Sequence, residues 1–361
     1  MDIRLSTLTP IHIGTGREMM PEYDYVPFDN SIAVLDEAKV LSIISGGQEP
    51  TAEDINRWVN LIDRGEKLLP YLRQRRPGLK ATDIGREIPL SESINFEKVK
   101  TIRAQIHGCG LLPGSSLKGA IRTALLTYFI DSDGGRAVKN TYNLYDRRNR
   151  FNASNLEKKF FGPSPHKDLM RLLHVGEAHF SDTVIIKTEV LNLKGNDWRR
   201  DGRLETWIEA IPAGETAETR LNVDKTPGRQ KLFDYEMVKK LEPRRLFEII
   251  NQHTLRLVDA ELKYWDIDEG NPVDLGDYCE SLKRQKNEIA KCDENSCVIR
   301  VGWGSGWKFM TGGWQRHLSD EVYDKLVLAL RRRHPVDLPF PKTTRFQASG
   351  EPLGFVKLSI K

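Results

Sequence analysis

GCGLLPGSSLKGAIRTALLTYF, residues 108 to 129, joins a glycine-rich turn to a long amphipathic segment. Pro113 and Gly114 form the turn, and Ser115 or Ser116 is then placed to cap the helix that follows. Apolar residues recur at every fourth position, namely Leu117, Ile121, Leu125 and Phe129. This spacing predicts a helix with one apolar face, which packs into the core.

The start of this helix carries cations where acids are usual. A helix start has unpaired N–H groups and a partial positive charge, so Asp or Glu commonly occupies its first turn. Here Lys118 and Arg122 share one face, and no acid occurs from Lys98 to Ile130. We therefore expect the anion to come from outside the chain, as a phosphate. An ordinary capped helix behind a glycine-rich loop explains the local pattern about equally well.

Length and charge limit the classes of protein. The 361 residues, 39% hydrophobic and 29% charged, indicate a soluble globular protein of one large or two modest domains. A net charge of +4 does not by itself argue for nucleic acid. Neither a membrane span nor a signal peptide is apparent, so we expect a cytoplasmic protein without a membrane partner. The four cysteines form no CxxC pair, and we expect no metal site.

A second glycine loop follows the first predicted strand, in which Ile3 and Leu5 alternate with polar residues. Pro10 ends that strand, and the loop behind it contains His12, Gly14 and Gly16. Glycines there let a backbone approach a ligand, and His12 is placed to contact a base or a phosphate. A tight turn with a hydrogen-bonded histidine is an equally good account of these residues.

The remaining pattern predicts an α+β chain in two parts. The first part covers residues 1–225, with a helical insertion at about 37–105 and a hairpin at about 183–211. The second part, 226–361, is helical and glycine-rich and completes the fold with a final strand.

The predicted hairpin has a basic tip. Asp201-Gly202 is a turn signal, and it places several cations and an indole close together, namely Lys194, Trp198, Arg199, Arg200 and Arg203. Such a ribbon can contact a nucleic-acid strand, although many hairpins carry basic tips for solubility alone.

A third glycine loop, VGWGSGWKFMTGGW, begins at residue 301. It contains Gly302, Gly304, Ser305, Gly306 and Lys308, together with Trp303, Trp307 and Trp314. No acid occurs from Asn295 to Ser319. Glycines admit phosphates and indoles offer stacking faces to bases, whereas buried tryptophans in a simple turn are the alternative. Because two loops lack acids, a shared polyanion is the simpler explanation. Lys342 and Arg345 add charge in a predicted loop before the last strand.

Together these stretches resemble the RAMP (repeat-associated mysterious protein) superfamily of CRISPR systems. The resemblance rests on LTPIHIGTG, LPGSSLKGAIRTALL, FFG at 160–162, VGWGSGW and PKTTRFQASGEPLGFVKLSI. Their order and spacing most resemble the family of subunit five of the type III-A Csm effector complex. The resemblance implies a ferredoxin-like, RNA-recognition-type antiparallel sheet with helical insertions and glycine-rich loops. It also implies a binding site for the RNA backbone. The site would consist of Gly114, Ser115, Ser116, Lys118 and Arg122, together with Gly302, Gly304, Gly306 and Lys308.

The resemblance further implies a structural subunit without cofactor or catalytic residues. It would hold the 3′ region of the CRISPR RNA, cap the filament of backbone RAMP subunits and contribute to guide RNA maturation. Its partners would be CRISPR RNA and the backbone and small subunits, with target RNA nearby. The alternative is a RAMP-type RNA endonuclease, which would need His12 and an acid such as Glu18, Glu22 or Asp24. A small-molecule phosphate enzyme would need a paired acid and base, and this sequence contains no such pair of clear spacing.

Overall fold

The computed structural model describes residues 1–96, 99, 101–139, 144, 153–194, 197–265, 275–330 and 340–361. The strands are β1 (Asp2–Thr7), β2 (Gly14–Met19), β3 (Tyr25–Pro27), β4 (Ser31–Leu35), β5 (Gly85–Pro89), β6 (Ile102–Gln105), β7 (Gly110–Leu112), β8 (Leu173–Val175), β9 (Ala178–Phe180), β10 (Val184–Lys194), β11 (Asp197–Arg200), β12 (Thr206–Ala210), β13 (Thr216–Val223), β14 (Ser296–Arg300), β15 (Thr343–Gln347) and β16 (Phe355–Ile360).

The helices are α1 (Glu37–Ile44), α2 (Ala52–Asp63), α3 (Leu68–Arg75), α4 (Ala81–Ile84), α5 (Gly114–Ser132), α6 (Arg136–Lys139), α7 (Ser154–Phe161), α8 (Pro227–Gln230), α9 (Tyr235–Lys239), α10 (Pro243–Trp265), α11 (Gly276–Ala290), α12 (Gly306–Thr311) and α13 (Asp320–Leu330). Helices and antiparallel strands are thus mixed throughout, as the sequence predicts. No helix within the described ranges is long and apolar enough to cross a membrane.

One five-stranded sheet joins the two ends of the chain. Its strand order is β14-β16-β1-β13-β8, and all its pairs are antiparallel. Leu5 in the central strand lies opposite Leu358 on one side and Ala217 on the other. Residues 226–361 therefore supply two strands, β14 and β16, to a sheet that residues 1–225 begin.

Helix α5 packs against this sheet through the predicted apolar face. Leu117, Ile121, Leu125 and Phe129 are buried with Ile3, Leu5 and Leu358 in one hydrophobic cluster. The predicted capping by Ser115 or Ser116 is wrong. The helix begins at Gly114 with Pro113 as its N-cap, and no side chain caps it. Because Pro113 is already extended, both serines lie inside the first turn.

A second sheet, of six strands, contains the long hairpin. Its order is β11-β10-β12-β6-β2, with β15 on the other edge of β10. The pair β12–β6 is parallel and the others are antiparallel. The predicted turn at Asp201-Gly202 is wrong, because β10 and β11 are joined by residues 195 and 196, which lie outside the described residues. Asp201 instead accepts Lys194 Nζ at 2.7 Å.

Two further predictions of secondary structure need correction. Residues 37–105 are helical only as far as Ile84, and two strands follow, β5 and β6. β5 pairs with β4 in a three-stranded sheet, β3-β4-β5, because Ile32 and Ile88 face the same apolar cluster. Arg345 lies in strand β15 rather than in a loop, since its neighbours Thr344 and Phe346 are buried.

A buried histidine in α10 predicts loss of stability in acid. Burial lowers the pKa of His253 to about 3, helped by the neighbouring guanidinium of Arg256. The folded protein therefore keeps this ring neutral, whereas the unfolded chain takes up the proton near pH 6.5. Stability must fall as the pH drops below about 6.5, and at pH 5 this group costs on the order of 2 kcal/mol.

The measurement is urea unfolding of wild type and His253→Leu at pH 7.5 and pH 5. We expect the wild type to lose more stability between the two values than His253→Leu. The exposed His174 on β8 gives a control, His174→Leu, that should behave as wild type. Equal pH dependence in all three proteins would contradict the prediction.

Candidate nucleic-acid interface

Three of the predicted stretches meet at one cleft of about 430 Å³. The loop after β1, strands β2 and β6, the first turn of α5 and the loop after β14 form its walls. The lining residues are His12, Ile13, Gly14, Gly16, Arg17, Glu18, Arg103, Ala104, Ser116, Gly302 and Trp303. We call this site the glycine-loop cleft.

The second and third glycine loops touch directly through their backbones. The N–H of Trp303 donates to the carbonyl of His12 at 2.9 Å. Gly302 has a φ of +81°, and a Cβ on it would lie 2.7 Å from that same carbonyl oxygen. Glycine is therefore required here both by the backbone conformation and by the close approach.

A buried amide fixes the second glycine loop to the segment that leads into α5. Gln105 on β6 accepts the N–H of Ile13 through Oε1 at 2.8 Å. Its Nε2 donates to the carbonyl of Leu111 at 3.1 Å, on the strand just before Pro113. Both ends of the amide are thus paired, and the loop and the helix start hold a fixed spacing.

A buried carboxylate completes this support. Glu209 on β12 is 0% exposed and pairs with Arg86 Nη1 at 2.8 Å. Thr183 Oγ1 donates to the same oxygen at 2.9 Å, and the N–H of Gln105 donates to the other at 3.2 Å. The sequence does not reveal these supporting residues, because polar residues on strands give no local signal of burial.

Two guanidinium groups contact the ring of Trp303. Arg103 Cζ lies 5.2 Å and Arg345 Cζ 4.4 Å from the ring centroid, both within cation–π range. Arg345 also donates to Thr188 Oγ1 at 2.9 Å. Burial lowers the pKa of Arg345 to about 10, so it stays charged at neutral pH. The indole ring is therefore already contacted by cations from within the protein.

Arg103 was not among the predicted site residues, although it lies in the acid-free stretch from Lys98 to Ile130. It lines the cleft beside Glu18, with 3.6 Å between Nη2 and Oε1. The absence of acids around it in the sequence is a signal from which this residue could have been predicted. Near the cleft, Arg103 and Arg345 outweigh the acid Glu18, whereas Arg17 is paired with Asp24.

Some predicted residues gather at the cleft and others stand beside it. His12, Gly14, Gly16, Ser116 and Gly302 line it, and Arg345 contacts its Trp303. Ser115 is exposed on the same first helical turn, whereas Gly114 is buried. A Cβ on Gly114 would lie 2.2 Å from the carbonyl oxygen of Val175, so this glycine serves close packing. Burial lowers the pKa of the half-buried Lys118, one turn into the helix.

The expectation of an external anion is wrong for Arg122. Its Nη1 contacts both carboxylate oxygens of Asp168, at 3.0 and 2.9 Å. Its Nε and Nη2 contact Glu157 at 3.1 and 3.0 Å, and its Cζ lies 4.0 Å from the ring centroid of Phe161. Tertiary folding brings acids 35 and 46 residues away onto the helix face, so this cation is already neutralised.

The second half of the third loop also turns inward. Lys308 Nζ donates to the carbonyl of Ala260 at 3.0 Å and lies 4.3 Å from the ring of Tyr264, and burial lowers its pKa. This contradicts its prediction as a phosphate contact. Ser305 is buried, and Gly304 packs on Leu353. Gly306 begins α12 and does not line the cleft.

The predicted basic hairpin tip is a different surface. Trp198 is 8% exposed and packs on Trp265 with 4.9 Å between ring centroids, so its predicted role in stacking is wrong. Trp314 is likewise buried in the core. Arg199 pairs with Asp197 at 3.0 Å, and Arg200 pairs with Glu189 at 3.0 Å.

In the strand order, this surface lies far from the β2 wall of the cleft. Arg199 and Arg200 lie on β11, at the opposite end of the sheet order from β2, which lines the cleft. Lys342 is exposed beside β10, where its carbonyl accepts the N–H of Leu193 at 2.8 Å. Within the described ranges, no cluster of three or more His, Cys, Asp or Glu side chains is placed to hold a metal.

Comparison with known proteins agrees with this architecture. The model of the RAMP superfamily matches residues 4–307. A CRISPR system protein, Csm5 of Methanocaldococcus jannaschii, is 23% identical over 404 aligned positions, covering 100% of this chain and 89% of the relative.

Two solved structures share the fold. A chain in the cryo-EM structure of the Csm–crRNA–target RNA ternary complex of a type III-A CRISPR-Cas system superposes with a TM-score of 0.72 at 21% identity, covering 99% of this chain and 100% of that one. The crystal structure of T. onnurineus Csm5 gives a TM-score of 0.64 at 22% identity, covering 98% and 99%.

Proposed function

The chain belongs to the RAMP superfamily, and on that premise we propose that it is an RNA-binding subunit of a type III-A CRISPR effector complex. Its partners are CRISPR RNA, the other Csm subunits and target RNA. The similarity to Csm5 and to a chain of a Csm complex with its RNAs supports this assignment.

The observation that carries the proposal is the glycine-loop cleft. It unites two glycine loops, 291 positions apart at His12 and Trp303, with the uncapped start of α5. Free amides at a helix start favour an anion, and the guanidinium of Arg103 lies in the same wall. Because the loops are glycine-rich, a sugar-phosphate backbone can come close to the protein backbone.

The strand order supports the ferredoxin-like unit that the resemblance implies. β16, β1, β13 and β8 are neighbours in this order, α5 lies between β1 and β8 in the chain, and α10 follows β13. This is the arrangement of a β-α-β-β-α-β unit with insertions. The proposed RNA path crosses the loops at one end of that unit.

Within the complex, we assign the subunit to the 3′ region of the CRISPR RNA, where it caps the backbone filament and contributes to guide maturation. The role is structural rather than catalytic. Cleavage without a metal needs a base near the 2′-hydroxyl and an acid near the leaving oxygen. Glu18, the acid in the cleft, is engaged by Thr101 Oγ1 at 2.9 Å and by Arg103. Asp24 is paired with Arg17, and Glu22 accepts the N–H of Leu68 at 2.9 Å.

The function is tested by adding labelled guide RNA to the purified protein, with and without magnesium. We expect binding that weakens steeply with salt, and intact RNA throughout. Cleavage that disappears in His12→Ala would favour the endonuclease instead. Complexes assembled without this chain should carry guides with shorter or heterogeneous 3′ ends, and sequenced ends identical to those of the full complex would contradict the assigned position.

A further inference from the structure

The ring of His12 is held with one nitrogen anchored and the other free to act. The residue is 2% exposed, and its Nδ1 lies 2.7 Å from the carbonyl oxygen of Glu209. Since a carbonyl only accepts, Nδ1 must carry the proton. The edge-to-face contact with Trp303, at 5.5 Å and 80°, fixes the plane of the ring. Nε2 is therefore left on the side of the glycine-loop cleft.

The free nitrogen is an acceptor rather than a charged donor. Burial lowers the pKa of His12, so the ring is neutral at physiological pH and Nε2 presents a lone pair. No group within the described ranges donates to this nitrogen. It faces Gly14, where a Cβ would lie only 2.8 Å from Nε2. The missing side chain at Gly14 thus leaves room for a donor from a ligand.

The chemistry of the cleft identifies that donor. A phosphate offers only acceptors and would be repelled by the lone pair of Nε2, while the neighbouring Arg103 suits a phosphate. The group that stands beside a phosphate in RNA, donates a hydrogen bond and is missing from DNA is the ribose 2′-hydroxyl. We propose that His12 Nε2 accepts the 2′-hydroxyl of one nucleotide held in the cleft, and thereby selects RNA over DNA. This inference rests on the proposed RNA-binding function.

The contact is tested with full-length protein and single-stranded guide RNAs that carry one 2′-fluoro substitution each. Fluorine keeps the sugar pucker of RNA and removes the donor. Wild type should bind about 3- to 10-fold more weakly when one particular position is substituted, the usual effect of one hydrogen bond. His12→Asn should bind unmodified RNA more weakly by the same factor and ignore the substitution at that position, because the Asn amide can replace Nδ1–H but not Nε2.

Two further variants keep the test decisive. Gly14→Ala places a methyl group within 2.8 Å of Nε2, so that the ring or the loop must shift and Nε2 is blocked, and this variant should also lose the sensitivity. The control variant His174→Asn changes an exposed histidine on β8 and should retain the sensitivity to fluorine.

If wild type binds RNA but no position responds to fluorine, the inference is overturned and the proposed function stands. If the response follows the identity of the base instead, a base amino group is the donor and the inference is again overturned. If wild type binds no RNA, the proposed function fails and the inference fails with it.

Discussion

Replacing Arg103 and Arg345 together by glutamine is expected to lower the affinity for guide RNA by about 100-fold at low salt. The two guanidinium groups lie 5.2 and 4.4 Å from the same indole ring, so a backbone that contacts one is within reach of both. A hydrogen bond to a charged group contributes about 1.5–3 kcal/mol, and two losses at the lower end of this range give roughly this factor. The slope of log K against log salt should also fall by about 1.4, or 0.7 for each phosphate contact of a single strand.

A matched control exists on the same sheet. Arg199→Gln with Arg200→Gln removes the same charge from β11, at the opposite end of the strand order from β2. This variant changes net charge equally, so it should reduce the affinity only a few-fold through long-range attraction. Fluorescence anisotropy across a salt series measures both variants. Equal losses in the two variants would show that overall charge, rather than the glycine-loop cleft, governs binding.

Arg300→Met is expected to lower the free energy of unfolding by about 3–5 kcal/mol. Arg300 and Glu261 have side chains that are 1% and 6% exposed, and they are 3.2 Å apart. Tyr278 donates to the same carboxylate oxygen of Glu261 at 2.7 Å. Loss of the guanidinium leaves a buried carboxylate without its cation, and desolvation makes such a charge expensive.

The helices that carry Glu261 and Tyr278, α10 and α11, supply an exposed ion pair for comparison. Lys286 on α11 pairs with Asp259 on α10 at 2.7 Å, but both side chains are 47% exposed. Lys286→Met should therefore change stability by less than about 1 kcal/mol. Urea unfolding at pH 7.5 measures both variants. Similar losses in the two proteins would mean that burial does not set the strength of the Arg300 pair.

The elements that the sequence predicts best are those with strong apolar periodicity. Leu117, Ile121 and Leu125 mark α5, and all three are buried. Strand β13, TAETRLNV, was not predicted, even though its residues alternate between exposed and buried. Its inward positions include Ala217 and Thr219, which are too small or too polar to stand out as apolar. Strand β15 was missed for the same reason, since Thr344 precedes its one large apolar residue.

The candidate site was predictable only in part, because local pattern shows residue types and not their partners. Glycine loops and cations were recognisable, and several of them meet at the cleft. Arg122 looked unpaired because Asp168 lies 46 residues away in the chain. The indole of Trp198 looked available for stacking on a base because the sequence around it does not indicate that Trp265 packs against it. Tertiary contacts of this kind decide which cation is free, and such contacts cannot be predicted from the local sequence pattern.

The meeting of distant loops has a consequence for synthesis on the ribosome. His12 accepts the N–H of Trp303, and the N–H of Phe355 reaches Thr9 across 346 positions. The central strand β1 also needs β16 as a neighbour. A nascent chain therefore cannot bring the walls of the cleft together before Trp303 has been made, nor complete the five-stranded sheet before translation has passed residue 360. Contacts of such long range slow folding, and the unfinished chain exposes an unpaired strand edge in the meantime. The RNA contacts proposed for the cleft therefore form late in synthesis.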